Sequence, residues 1–274
     1  MLVLSYLAWC CRFCIKPWKY FQLNANYFNE KLGLFSKLEM DALIPKQWRL
    51  SQCVDHVDLE PEQYPVFIKP EWGQNSQGIV RADNLQQLQE HRQQRPKKGP
   101  RYLLQVAAKG QREFEIFYIP SVKADNMPAI ISVVETCNSS GDSMPINGIN
   151  NRHTYYQSRM SELSETQLKK IEAIFSNIGH FRIARYCARA ESLQALLDQQ
   201  FSMVEINIYV PMPLILLVKD ISLKAKMTFI VKSMKQLVLV TKSIPSSQPF
   251  KPIFFKKLQM VRFLKTNTIN RHSS

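Results

Sequence analysis

The 274-residue sequence predicts an α+β protein in which short strands and helices follow one another along the chain. Runs of β-branched and aromatic residues closed by proline or glycine are typical of strands, and residues 64–70 have this composition. A capping residue ahead of apolar residues at helical spacing predicts a helix start, as at Asn84 and Ser164. Since 45% of the residues are hydrophobic and 21% charged, the chain can bury an ordinary core, which excludes a disordered or fibrous protein.

The remaining elements follow from the same local patterns. Strands are predicted over 64–70, 102–107, 113–119, 129–135, 182–189 and 201–208. Helices are predicted over 85–94, 164–179, 192–200 and 214–243. The second of these begins with a capping box formed by Ser164 and Gln167 and ends at Gly179. Residues 138–163 are rich in Asn, Ser and Gly without a clear period, which indicates a long loop.

Positive charge is concentrated in the last part of the chain. The net charge is +14, of which residues 1–218 contribute only +3 and residues 219–274 contribute +11. A nearly balanced body does not favour a nucleic-acid-binding surface, so we expect no nucleic-acid partner. We predict that residues 218–274 form a basic helical tail.

The N-terminal segment, residues 1–30, is aromatic and basic. Its apolar run stops near residue 11, short of the ~20 residues that a membrane-spanning helix needs. The positive charges follow this run, whereas a secretory signal places them before it, and the scattered cysteines indicate no disulfide framework. We therefore expect a cytoplasmic protein. The segment either packs onto the domain, which we favour, or lies at a membrane interface with Lys and Arg side chains reaching lipid phosphates.

A candidate phosphate site follows the first predicted strand. Lys69 lies near the strand end, and the next loop contains Gly73, Ser76 and Gly78. Glycines let backbone N–H groups approach anionic oxygens closely, and a lysine adds a point charge. The segment matches neither of the common glycine-rich nucleotide motifs, so an exposed loop with a surface lysine is the alternative.

A candidate metal site lies on the last two predicted strands. Glu205 and Asn207 are two residues apart, so both side chains lie on one face of a strand. Their oxygens are the ligand type that Mg²⁺ prefers, although a polar sheet face would show the same pattern. Arg185 and Cys187 have the same spacing on the preceding strand. Antiparallel pairing of the two strands would bring these four residues together.

The order of these motifs resembles the ATP-grasp superfamily, in particular its D-alanine–D-alanine ligase-like branch. The resemblance covers about residues 35–217 and is carried by Pro65–Pro70, Gly73–Gly78 and Val204–Asn207. It implies two α+β subdomains that hold a nucleotide in a cleft between mostly antiparallel sheets. We accordingly divide the chain into 1–30, an ATP-grasp-like domain over 31–217, and 218–274.

The resemblance also implies how ATP is bound. Lys69 matches a phosphate-binding lysine, and the loop from Gly73 to Gly78 matches the loop that closes over the phosphates. Gln105 matches the residue that accepts from the adenine amino group, Val106 and Ala107 match the hinge backbone, and Glu113 matches the acid that binds ribose.

The same resemblance implies the catalytic and metal-binding residues. Lys37 is similar to an earlier phosphate-binding lysine, although Lys31 competes for this role. Arg185 is similar to the arginine that stabilises a tetrahedral intermediate, and Glu205 and Asn207 are similar to magnesium ligands.

Two features depart from that family pattern. Cys187 occupies the position where the branch has an aspartate ligand, and a thiol is a poor partner for a hard cation. The branch also has an N-terminal substrate-binding domain, whereas few residues precede Lys37. We expect the substrate half to be missing, supplied by a partner, or replaced by the basic tail.

The resemblance implies a carboxylate–amine or similar ligase that uses ATP and Mg²⁺ and acts through an acyl-phosphate. Its substrate would be an unidentified small-molecule or peptide carboxylate. The alternatives are a degenerate ATP-binding protein without turnover and a membrane-peripheral interaction protein.

Overall fold

The computed structural model describes residues 1–73, 76–95, 99–122 and 129–258. Within them lie six α-helices and nine β-strands. The helices are α1 (Leu2–Arg12), α2 (Lys37–Asp41), α3 (Leu85–Gln94), α4 (Glu165–Ser176), α5 (Leu193–Leu197) and α6 (Leu223–Lys242). The strands are β1 (Gln52–Val54), β2 (Val66–Pro70), β3 (Val80–Ala82), β4 (Tyr102–Val106), β5 (Arg112–Ile119), β6 (Ile130–Asn138), β7 (Thr154–Ser158), β8 (Ala184–Ala190) and β9 (Phe201–Asn207).

The strands form two antiparallel sheets, which confirms the predicted α+β class. The first sheet has the order β1-β4-β2-β3 and the second β7-β6-β5-β8-β9. A short connection from β4 to β5 joins the sheets. Within it, Gly110 has φ +98°, and a Cβ there would lie 2.7 Å from the backbone of Ala190. Only glycine therefore fits this crossing between the sheets.

The central strand β5 determines what lies on each face of the second sheet. Its side chains Phe114, Ile116 and Tyr118 belong to the core that includes residues of α4 and α5. On the opposite face, Glu113 and Glu115 line the space between the sheets, while Phe117 packs with residues of α1 and α6. Because side chains alternate along a strand, β5 contributes residues to the core on one face, and to the polar cleft and the packing surface of α1 and α6 on the other.

The helices α1 and α6 pack side by side and run antiparallel. The Tyr6 hydroxyl lies 3.3 Å from the Thr241 hydroxyl, and Lys235 Nζ lies 5.6 Å from the centre of the Trp9 ring. Tyr6 and Cys10 are buried on the inner face of α1. Among the helices that the structure describes, none combines the length and the apolar character that crossing a bilayer requires.

Most predicted elements are confirmed, with differences where local signals compete. The capping box at Ser164 and the cap at Asn84 are both present. The predicted loop over 138–163 contains β7, which β6 organises by pairing across the sheet. The last helix begins at Leu223 instead of Leu214, because proline-rich residues precede it and Ser222 provides the cap.

Asp55 provides a test of how the first sheet is held to α3. Its side chain is fully buried and pairs with Arg92, at 2.6 Å from Nη2, and with Arg95. Removing one partner of a buried ion pair leaves uncompensated charge. We expect Asp55→Ala to lower the free energy of unfolding by about 3 kcal/mol in denaturant titrations.

The exposed Asp58 provides the matched control, and Asp58→Ala should leave the unfolding midpoint unchanged. Equal stability of the two variants would contradict the structural role of the Asp55 pairs.

Candidate functional site

A cleft between the two sheets encloses about 1070 Å³ of space, part of it open to solvent. Ten of the residues singled out in the sequence line it: Lys37, Lys69, Gly73, Ser76, Gln105, Glu113, Arg185, Cys187, Glu205 and Asn207. Residues separated by up to 170 positions therefore meet in one cleft. Lys31 lies instead in an exposed turn.

The first sheet contributes a buried lysine to the cleft. Lys69 is only 5% exposed, and its Nζ donates to Gln105 Oε1 at 2.5 Å. The pKa of Lys69 is lowered to about 8, mainly by burial; Glu205 opposes the shift and Lys37 adds to it. Below pH 8 the cleft thus contains a poorly hydrated cation, which favours binding of an anion.

The second sheet contributes a carboxylate to the same region. Glu205 on β9 lies 3.4 Å from Lys37 Nζ. Desolvation disfavours ionisation of Glu205, but the cations Lys37, Lys69 and Arg185 hold its pKa below the ordinary value. Asn207 lies two residues further on and lines the same cleft. An ionised carboxylate and an amide oxygen source are therefore available side by side.

Lys37 is positioned by the start of α2. Ser36 caps this helix, and its hydroxyl also donates to Glu71 Oε1 at 2.6 Å. Glu71 in turn accepts from Arg101 Nε at 2.6 Å. This chain of contacts connects α2 to the first sheet and holds Lys37 opposite Glu205.

The middle of the second sheet carries an ion pair between Arg185 and Glu115, and the sequence prediction missed Glu115. Glu115 Oε2 lies 3.0 Å from Arg185 Nε, and Arg185 also donates to the Met212 carbonyl at 3.2 Å. Burial raises the pKa of Glu115 to about 7, although Arg185 acts in the opposite direction. The two-residue spacing from Glu113 on a strand was the signal that could have indicated Glu115.

Cys187 lies directly opposite Glu115 in the β5–β8 register and opposite Glu205 in the β8–β9 register. One ligand atom each from Cys187, Glu113 and Glu115 lie within 4.8 Å of one another. Burial, reinforced by the nearby carboxylates, raises the pKa of the Cys187 thiol well above its ordinary value. The side chain is therefore a neutral thiol at neutral pH.

The loop after β2 lies across the entrance of the cleft. Ser76 has φ +60°, and its hydroxyl donates to the Asn147 carbonyl at 2.5 Å. Asn147 also donates from its side chain to Glu113 Oε2 at 3.2 Å. Residues 74 and 75, within the predicted loop, lie outside the described residues. The loop and the connection between β6 and β7 thus meet over the cleft.

Three of the predicted nucleotide-contacting residues do not line the cleft: Gly78, Val106 and Ala107. The backbone N–H groups of Val106 and Ala107 donate to Ser51 and Pro65 carbonyls at 3.0 and 3.2 Å. Ala108 lines the cleft one residue further on. Gln105 does line it, but its side-chain amide already bonds Lys69, Gln52 and the Val204 carbonyl.

No family model and no curated protein matches this sequence. Among solved structures, the VanG D-Ala:D-Ser ligase from Enterococcus faecalis is similar, with 13% identity, a TM-score of 0.51, and coverage of 80% of this chain and 70% of that one. An L-amino acid ligase from Bacillus licheniformis shows 18% identity, a TM-score of 0.47, and coverage of 74% and 47%. The chain thus spans about half of the L-amino acid ligase and about two thirds of the VanG ligase.

At such low identity the likeness shows the fold. The two antiparallel sheets with their shared cleft form an ATP-grasp fold, as the motif order predicted. The chain shares this fold with the VanG D-Ala:D-Ser ligase, as the resemblance to the D-alanine–D-alanine ligase-like branch implied.

Proposed function

We propose that this chain binds Mg-ATP in the cleft between its sheets and activates a carboxylate as an acyl-phosphate, as an ATP-dependent ligase. The observation that carries the proposal is the convergence of Lys37, Lys69 and Arg185 with Glu205 and Asn207. Three cations beside two oxygen donors suit a polyphosphate and a hard divalent cation.

The charges that line the cleft suit a nucleotide. Lys69 is desolvated and has no carboxylate within ion-pair distance among the described residues. A phosphate would provide the counter-charge that this lysine lacks. We assign Lys69 and Lys37 to the phosphates, and Glu113 and its partner Asn147 to the ribose side.

The residues present also fit Mg²⁺, which would be held by Glu205 and Asn207. Glu205 is ionised at neutral pH and lies opposite the phosphate-binding lysines. When bound, the ion supplies neutralisation of phosphate charge. Two protein oxygens suffice, because Mg²⁺ commonly takes its remaining ligands from phosphate and water.

In the proposed reaction a carboxylate oxygen of the substrate attacks the γ-phosphorus of ATP. A new P–O bond forms and the bond to ADP breaks, and an amine then displaces phosphate from the acyl carbon. Lys37 and Lys69 orient the phosphates and stabilise the charge that moves toward the leaving group. Arg185, fixed by Glu115 and the Met212 carbonyl, would stabilise the oxyanion of the second step.

The division into 1–30, 31–217 and 218–274, the cytoplasmic location and the contact with a membrane remain proposals. The carboxylate substrate, a small molecule or peptide, is also proposed by chemical class alone. The membrane contact concerns the N-terminal helix and not the cleft.

ATP affinity measured by calorimetry, with and without Mg²⁺, tests the phosphate assignment. Lys69→Met preserves the buried alkyl chain and removes the charge, and we expect it to weaken binding about 10- to 100-fold, as for a lost charge-assisted hydrogen bond. Lys46→Met, at an exposed lysine, is the control and should bind like the wild type. No ATP binding by the wild type, or equal affinity of both variants, would sink the proposal.

The pH dependence of ATP affinity gives an independent readout of Lys69. Because the pKa of Lys69 is lowered to about 8, the side chain is charged below pH 8 and loses its proton above it. ATP affinity should therefore fall as pH rises, by about tenfold between pH 7 and 9. The difference between wild type and Lys69→Met should shrink over the same range, and an unchanged difference would contradict the assignment.

A second candidate function, nucleotide binding without turnover, is favoured by the neutral thiol of Cys187. Cys187→Asp restores an oxygen ligand, and Cys187→Asn is the uncharged control. Since Glu113, Glu115 and Glu205 surround this position, the aspartate should destabilise the metal-free protein. We expect Mg²⁺ to raise the melting temperature of Cys187→Asp more than that of Cys187→Asn.

ATP turnover of the same variants separates the two functions. A gain in Mg²⁺-dependent turnover in Cys187→Asp indicates a weakened ligase. ATP binding without turnover in either form indicates a binding protein.

A further inference from the structure

The outer face of α1 is a continuous apolar surface. Val3, Leu4, Leu7, Ala8 and Cys11 are all exposed, and their spacing of one, three, one and three residues places them on one side of the helix. Val3 is 69% exposed and Leu4 64%. The inner face of α1 packs against α6. The exposed outer face is therefore a second apolar surface, in addition to the one that the core buries.

The two segments that pack together here are basic. Neither residues 1–29 nor α6 contain a single Asp or Glu. Their cations are Arg12, Lys16, Lys19, Lys224, Lys226, Lys232, Lys235 and Lys242. Within the described part of the chain, none of these eight forms an ion pair. Their charge is therefore available to an external anionic partner.

Aromatic side chains accompany two of these cations. Trp18 is 58% exposed, and Lys16 Nζ lies 5.7 Å from the centre of its ring. Lys235 of α6 lies over Trp9 of α1. An exposed apolar helix face combined with tryptophan and lysine side chains is the composition of helices that lie in a bilayer interface.

From this surface we infer that α1 docks the protein on an anionic lipid bilayer, lying in the interface without crossing it. With 11 residues α1 is about 16 Å long, below the ~30 Å of the hydrocarbon core. A second copy fits less well, because a helix face of this length and about 10 Å width is far smaller than the ~800 Å² that each partner buries in a stable dimer. Two such basic surfaces would also repel each other.

The docking surface lies away from the nucleotide cleft. On the same face of β5, Glu113 lines the cleft and Ile119 packs against the α1 and α6 cluster. Six residues of extended strand separate the two by about 20 Å. The membrane contact therefore does not involve the cleft residues, and membrane binding does not depend on the proposed ligase activity.

Co-sedimentation of the full chain with vesicles tests the inference. One set of vesicles contains phosphatidylcholine alone, and the other contains equal parts of phosphatidylcholine and phosphatidylglycerol, at low and high ionic strength. We expect binding to the anionic vesicles, weakened by salt. Val3→Asp should reduce partitioning at least about tenfold, because it places a charge among the lipid chains. Val57→Asp is the matched control, since Val57 is 80% exposed on another surface.

Lys232→Gln tests the electrostatic part separately and should weaken binding to anionic vesicles about fivefold, with Lys46→Gln as its control. Melting curves check that each variant is folded, and Leu4→Gln provides a second, uncharged change in the apolar face. Failure of the wild type to bind either vesicle overturns the inference. So does unaltered binding by Val3→Asp and Leu4→Gln, or a dimer in light scattering that Val3→Asp dissociates.

Discussion

The charged groups of the cleft come from both sheets, and each sheet stabilises the charges of the other. Lys69 belongs to the first sheet, whereas Glu205 and Arg185 belong to the second. A buried cation costs several kcal/mol unless an opposite charge or a hydrogen-bond acceptor is near it. Lys69 donates a hydrogen bond to Gln105, and the nearby Glu205 stabilises its positive charge. Glu205 in turn forms an ion pair with Lys37. The charged groups of the site are therefore stabilised only when the two sheets face each other in this arrangement.

That charge is not balanced within the protein. Burial raises the pKa of Glu115 to about 7, so this carboxyl group carries only part of its negative charge at neutral pH. The thiol of Cys187 is neutral. Four cations, Lys37, Lys69, Arg185 and Arg189, line the cleft with three carboxyl groups, and of these three only Glu205 has a lowered pKa. The excess of cations leaves the cleft suited to an anion, which supports the choice of a polyphosphate ligand.

Features that depend on residues close together in the sequence were predictable, whereas contacts between distant residues were not. The capping box at Ser164 and the shared strand face of Glu205 and Asn207 are local patterns, and both are present. The pairing of Glu115 with Arg185 joins residues 70 positions apart, and no local pattern encodes it. Strands β1 and β3 have three residues each, too few to show a period, and exist through pairing with β4 and β2. The hinge backbone at Val106 and Ala107 was assigned by resemblance, whereas its N–H groups bond neighbouring segments.

The neutral thiol of Cys187 affects nucleotide binding and turnover differently. Four protein cations line the cleft, so they would balance much of a nucleotide's phosphate charge without a metal. Phosphoryl transfer requires more, because charge moves to the leaving oxygen and must be stabilised there. A neutral thiol offers no help at this step, and an aspartate at position 187 would add a third carboxyl beside Glu113 and Glu115. The arrangement therefore favours the proposed nucleotide binding over turnover, because a metal needed for turnover would have only Glu205 and Asn207 as proposed ligands.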